Sequence, residues 1–184
     1  MPHAVDTLRS MGLLFTVGHS THPIEEFAAL LTKHGVTLVA DVRTVPKSRH
    51  NPQFFGDALR ESLPERSIGY RHLPALGGLR RASKDSLNAG WNNASFRGYA
   101  DYMQTEAFVT GLDELIELSA EHTVAVMCAE AVPWRCHRSL IGDALLVRDI
   151  AVDDILSVSS VRAHVLTRFA RVDGLSVTYP PEES

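Results

Sequence analysis

Cys128 and Cys136, the two cysteines of the chain, fall within a twelve-residue stretch that also holds Glu130, Arg135, His137 and Arg138. A thiol, an acid, an imidazole and two guanidiniums in one short segment supply a nucleophile, proton carriers and a clamp for an anion. The first chemistry open to the cluster is anion binding. Arg135 and Arg138 lie at or near the expected start of a helix, whose free N–H groups and dipole favour negative charge. Ser20, Arg43, Lys47, Ser48, Arg71 and His72, at other strand exits, can reach toward the same ligand, and Cys136 and His137 flank it. The competing reading pairs Arg135 and Arg138 with Glu130 and Asp41 in a structural network.

Covalent catalysis is the second possibility, because a helix N-terminus and nearby arginines stabilise a thiolate at Cys128. The interval from Cys128 to Arg135 is one residue longer than in the strand-end cysteine loop of protein phosphatases, and Pro133 interrupts it. A buried cysteine packed at a strand end is the ordinary alternative. Proton transfer is the third, with Glu130 as the leading acid or base and Asp41 or His19 as the second group. A metal site is the fourth: Cys128, Cys136 and His137, completed by His19 or Asp41, have the donor types for tetrahedral zinc. Their spacing matches no standard zinc pair, and adjacent helical residues point in different directions.

These residues need strands to position them. Leu13 to Val17, Val36 to Ala40 and Thr123 to Met127 are short apolar runs, as expected of parallel strands covered on both faces. Ile68 to Leu73 reads as a weaker strand, and Val165-Leu166 and Val172 to Tyr179 as further short ones. Helices are expected after Pro23, over Gln53 to Leu63, from Phe96 onward with a bend at Gly111, and over Ser139 to Leu146. Residues 79–95 form a long polar loop around Trp91, of a length that suits a lid or binding element. Alternating strands and helices predict an α/β fold, a mainly parallel sheet with helices on both faces. His19 and Ser20, Asp41 and Arg43, Arg71 and His72, and the 128–138 cluster then share one rim, where such sheets bind ligands.

At 184 residues and 45% hydrophobic content, the chain suits one domain, expected over 13–179, with a flexible segment at 1–12 and a frayed tail at 180–184. No apolar run reaches the roughly 20 residues of a membrane span, and Met1 to Gly12 lacks a signal-peptide layout, so a cytoplasmic protein with thiols rather than disulfides is expected. Net charge is −4, yet residues 43–84 hold nine basic against three acidic residues, a local +6 that leaves −10 elsewhere. That segment, with Phe54, Phe55, Tyr70, Trp91 and Phe96, keeps open a nucleic-acid-binding module without catalysis.

Several short motifs carry a family resemblance. Thr16-Val17-Gly18-His19-Ser20, Asp41 to Ser48, Tyr70 with His72 and Leu76-Gly77-Gly78, Phe96 to Met103, Cys128-Ala129-Glu130 and Cys136-His137-Arg138 together resemble the domain of unknown function 488 family. The resemblance runs from about residue 14 to 147. It implies an α/β domain of bacterial or archaeal type, without an established activity; His164 lies beyond it. The sequence thus points to an anion-binding cleft at the C-terminal strand ends, serving an enzyme that acts on a phosphorylated or nucleotide-like substrate. Glu130 and Asp41 would move protons, and Arg43, Arg135 and Arg138 would stabilise charge. The residues identify no cofactor.

Overall fold

The computed structural model describes residues 13–183; the N-terminal segment 1–12 and the last residue of the tail lie outside the described residues. Six strands form the main sheet: β1 (Leu13–Gly18), β2 (Leu38–Asp41), β3 (Gly69–His72), β4 (Val124–Cys128), β5 (Ala151–Ile155) and β6 (Val161–Ala163). Their order is β3-β2-β4-β1-β5-β6, parallel except for β6, which runs antiparallel to β5 at the edge. A separate antiparallel hairpin joins β7 (Arg171–Asp173) to β8 (Ser176–Thr178).

Period-two alternation sends each strand's side chains to two different cores. From β4, Ala125 and Met127 join Phe27, Leu30, Leu31 and Leu59, which come from helices α1 (Ile24–Lys33) and α2 (Gly56–Ser62). Val124, Val126 and Cys128 enter the other core, covered by α3 (Ala94–Tyr102), α4 (Glu106–Glu121) and α5 (Arg138–Leu146). The expected α/β architecture with helices on both faces is therefore the observed one. Among the described residues no helix is long and apolar enough to cross a membrane.

Register aligns the strand exits. Gly18 pairs with Cys128, and Asp41 pairs with both Met127 and His72, so β1, β4, β2 and β3 end on one rim. Some expectations change. The helical break comes at Met103 to Thr105, where Thr105 caps α4 by accepting from the Phe108 N–H; Gly111 lies inside α4, where an added Cβ would come 2.9 Å from the Ala75 side chain. β5 replaces the strand expected at Val165-Leu166. Its Asp154 is buried, accepting a short hydrogen bond from Thr16 Oγ1 on β1 and facing His164, a pairing that hides the strand's acids from an apolar-run reading.

Candidate functional site

A cleft of about 440 Å³ opens at the shared rim. Its walls are the β2 exit (Arg43, Thr44, Val45, Lys47), the turn at Gly78 and Leu79, the start of α3 (Asn93, Ser95, Phe96, Tyr99) and the segment from Cys128 to His137. Asn93 caps α3 by accepting from the N–H groups of Ser95 and Phe96, which fixes that wall.

Seven of the expected site residues line this cleft: Arg43, Lys47, Cys128, Glu130, Arg135, Cys136 and His137. The other seven stand behind it or away from it. Asp41 is fully buried and accepts from Arg43 Nε at 2.9 Å, Arg43 Nη2 at 2.7 Å and the Tyr70 hydroxyl at 2.6 Å, so its carboxylate is occupied rather than free for proton transfer. His19 donates from Nδ1 to the Ser20 carbonyl, accepts from Arg43 Nη1 at 3.3 Å and stacks on Phe54. Burial lowers its pKa to about 4, which makes it a neutral support for Arg43. His72 donates to the Arg43 carbonyl at 2.7 Å, Ser48 accepts from Asn51, and Ser20 holds a left-handed turn (φ 47°). Arg71 is half exposed on the outside of the sheet, 3.5 Å from Glu114.

Arg138 is the largest departure. It is completely buried, so it cannot meet a ligand in the cleft. Nη1 donates to the Glu130 carbonyl at 2.7 Å and to Cys128 Sγ at 3.0 Å, and Nη2 donates to the Ala131 carbonyl at 3.2 Å. Among the described residues no carboxylate pairs with it. The competing reading, a structural network of the arginines with Glu130 and Asp41, does not hold for Arg138; Glu130 is exposed, and among the described residues its side chain forms no ion pair. Gly18 makes room for the loop, since a Cβ there would lie 1.7 Å from the Glu130 carbonyl oxygen that Arg138 holds.

The two cysteines meet at the base of the cleft. Cys136 Sγ lies 2.6 Å from Cys128 Sγ and is the donor of the pair. Burial pushes the Cys128 thiol up, but the hydrogen bond from Cys136 and the Arg138 charge outweigh it, and its pKa falls below the ordinary thiol value. Burial and the neighbouring Cys128 sulfur push Cys136 well above it. His137 donates from Nε2 to the Val42 carbonyl at 2.9 Å, which leaves Nδ1 as a lone pair 3.6 Å from Cys136 Sγ. Burial lowers the His137 pKa to about 4, so it too is neutral near pH 7.

Zinc donors are not assembled. Among the described residues no group of three or more His, Cys, Asp or Glu side chains is placed to hold a metal ion. His19 and Asp41, the expected completing ligands, are bound to Arg43. The aromatics that suggested base stacking are largely committed as well: Phe54 is fully buried, the Tyr70 hydroxyl holds Asp41, and Trp91 packs on Phe96, Phe169 and Tyr179. Of the basic segment, Arg60 pairs with Asp57, and Arg80 lies over the Tyr102 ring.

Thr44, Val45, Leu79, Asn93, Ser95 and Tyr99 were not expected in the site. The motifs Asp41 to Ser48, Gly77-Gly78 and Phe96 to Met103 and the long loop before α3 hinted at them, but strand exits alone mark just one side of a cleft.

A mostly parallel six-stranded sheet with helices on both faces defines an α/β domain. The chain belongs to the domain of unknown function family DUF488, whose model matches residues 23–145. That match contains the whole Cys128 to Arg138 segment and starts just after the His19-Ser20 turn. No curated protein and no solved structure matches the chain.

Proposed function

We propose that this chain is an enzyme that holds an anionic, nucleotide-sized or phosphorylated substrate in the rim cleft and attacks it with the Cys128 thiolate. The observation that carries this reading is Arg138: a wholly buried guanidinium with no carboxylate partner among the described residues and a sulfur 3.0 Å away. A guanidinium keeps its proton in a protein, and an unpaired buried charge is costly, so the thiolate form of Cys128 is the neutralising one.

The rest of the cleft suits this chemistry. Lys47 and Arg135 present two cations against one acid, Glu130, beside an Arg43 whose charge Asp41 balances, which favours a negative ligand. Four of Arg43's five N–H groups are engaged by Asp41, His19 and Phe54, which fixes the guanidinium and leaves one for a substrate oxygen. Leu79, Phe96 and Tyr99 provide an apolar wall for the uncharged part of the substrate. In the reaction, Cys128 Sγ forms a bond to the electrophilic centre as the leaving group departs. Glu130, exposed at the mouth, exchanges protons with the leaving group and with the water that frees the enzyme. Two free thiols fit a reducing compartment such as the cytoplasm.

The test is iodoacetamide alkylation of the reduced protein from pH 5 to 9, with peptide mass spectrometry to score each cysteine. Cys128 should react at pH 6, where an ordinary thiol of pKa about 8.5 is nearly inert, and inorganic phosphate or a nucleoside monophosphate should slow it. A Cys128 that reacts only above pH 8 overturns the reading. A thermal-shift series with phosphate, nucleotides and single-stranded DNA or RNA separates the substrate classes.

A further inference from the structure

We propose that Cys128 and Cys136 form a working dithiol–disulfide couple, and that the cleft admits an anionic low-molecular-weight disulfide as its oxidant, giving this chain a thiol–disulfide exchange activity. The proposal rests on the thiolate reading of Cys128 and adds a second reacting residue.

Geometry carries it. The chain has only two cysteines, and they converge from opposite ends of the 128–136 loop to a sulfur separation of 2.6 Å. Both cysteines are buried residues at the lining of the cleft, so a reagent held there approaches the pair from one side. The two are not equivalent. Cys128 stands at the end of β4 and receives Arg138 Nη1 at 3.0 Å; Cys136 receives only the backbone N–H of Arg138, at 3.5 Å, and faces the His137 Nδ1 lone pair. One sulfur is thus charged and ready to attack, and the other is protonated and held within reach of the first. Efficient exchange needs this division between an attacking and a resolving thiol.

The steps balance. Cys128 S⁻ attacks one sulfur of the disulfide RS–SR, the S–S bond breaks, and RS⁻ leaves, giving a Cys128–S–S–R mixed disulfide. With Cys128 now neutral in the mixed disulfide, Cys136 loses its negative neighbour and gives up its proton to solvent, which returns one to the departing thiolate. The Cys136 sulfur attacks Cys128 Sγ, forms the Cys128–Cys136 bond and expels the second RS⁻. Two protein thiols are oxidised by two electrons, and the small disulfide is reduced to two thiols. Lys47 and Arg135 select for negative charge on R, because a cationic cleft concentrates anions and excludes cations.

Oxidised glutathione, which carries carboxylates, and cystamine, which is cationic, are the probes, with intact-mass and peptide mass spectrometry as readouts. Wild-type protein should lose two hydrogens and release two glutathione molecules per chain, with Cys128 and Cys136 linked in one peptide. Cys136→Ser should stop as a glutathione adduct on Cys128, and Cys128→Ser should take no adduct. Cystamine should react at least about ten-fold more slowly than oxidised glutathione, and Arg135→Glu should narrow that gap. A lasting wild-type adduct, an adduct on Cys136, or equal rates for the two probes overturns the proposal. If Cys128 alkylates at pH 6 but no internal disulfide forms, the exchange activity fails and the nucleophile stands. If Cys128 is inert at pH 6, both fail.

Discussion

Two buried arginines on the same rim reach opposite ends. Arg43 leaves β2 with a carboxylate two residues away, and Asp41 takes its charge through two hydrogen bonds of 2.9 and 2.7 Å. Arg138 opens α5 with no carboxylate partner among the described residues, only two carbonyls and the sulfur of Cys128. The same side chain is a finished structural pair in one place and an unbalanced charge in the other. Where a fixed negative partner is present, the arginine becomes scaffold and offers its spare N–H to a ligand. Where it is missing, the proposed thiolate of Cys128 is the group that would balance the charge.

The sharpest way to break this contrast is Asp41→Asn, which strands Arg43 without its counter-charge. It should cost about 3–5 kcal/mol of stability, whereas Arg138→Met, which removes the charge itself, should cost about 1–3 kcal/mol from unpaired carbonyls. Urea unfolding of both variants measures this, and equal losses would dissolve the distinction. Arg138→Met should in turn slow Cys128 alkylation at pH 7 by about ten-fold, equivalent to one pKa unit or about 1.4 kcal/mol. Arg43→Lys should leave that rate within about two-fold; a comparable fall would mean that the whole rim, not Arg138, charges the thiol.

On the alkylation rate a smaller effect is expected from Gly18→Ala, although the clash with the Glu130 backbone costs stability as well. The added Cβ would lie 1.7 Å from the Glu130 carbonyl oxygen, and displacing that oxygen loosens Arg138 without removing it. Cys128 alkylation should fall by less than in Arg138→Met, and an unchanged rate would show that the loop does not hold the guanidinium.

The smallest effect is a pH profile set by the histidines. His164 lies between Asp143 at 2.9 Å and Asp154 at 3.7 Å; burial works against its charge, but these acids raise its pKa to about 9. A raised folded-state value contributes stability that is complete below about 6.5 and lost as pH rises through about 9. His19 and His137, lowered to about 4, contribute in the opposite sense, complete above about 6.5 and lost as pH falls toward 4. Unfolding midpoints should therefore peak near neutrality, and His164→Gln should flatten the alkaline side alone. An alkaline limb that survives this change would place the titration elsewhere.

The apolar runs of β1, β2 and β4 were legible because a strand covered on both faces must be apolar throughout. β5 was not, because Asp153 and Asp154 interrupt it and the partners that make Asp154 tolerable, Thr16 and His164, are distant in sequence. The placement of Arg43, Lys47 and the 128–137 segment on one cleft followed from strand exits alone. Which arginine would be buried did not, since that depends on carbonyls at Glu130 and Ala131 that face inward only after the loop folds back. The meeting of Cys128 with Cys136 was hidden for the same reason: seven intervening residues fix neither direction nor distance until the turn at Pro133 to Arg135 closes them.

The C-terminal hairpin lies past the family match, yet it fastens the site from behind. Tyr179 donates its hydroxyl to Asp143 on α5 at 2.7 Å, its N–H meets Asn88 Oδ1, and its carbonyl receives the Gly90 N–H. The loop before α3 and the helix that begins with Arg138 are both tied to a residue near the end of the chain. On the ribosome, where N-terminal parts emerge and fold first, every strand of the parallel sheet is made before this fastening exists. The cleft therefore acquires its rear support only once residue 179 has emerged, after every strand that carries the cleft, and Tyr179→Phe would remove the Asp143 tie while leaving those strands intact.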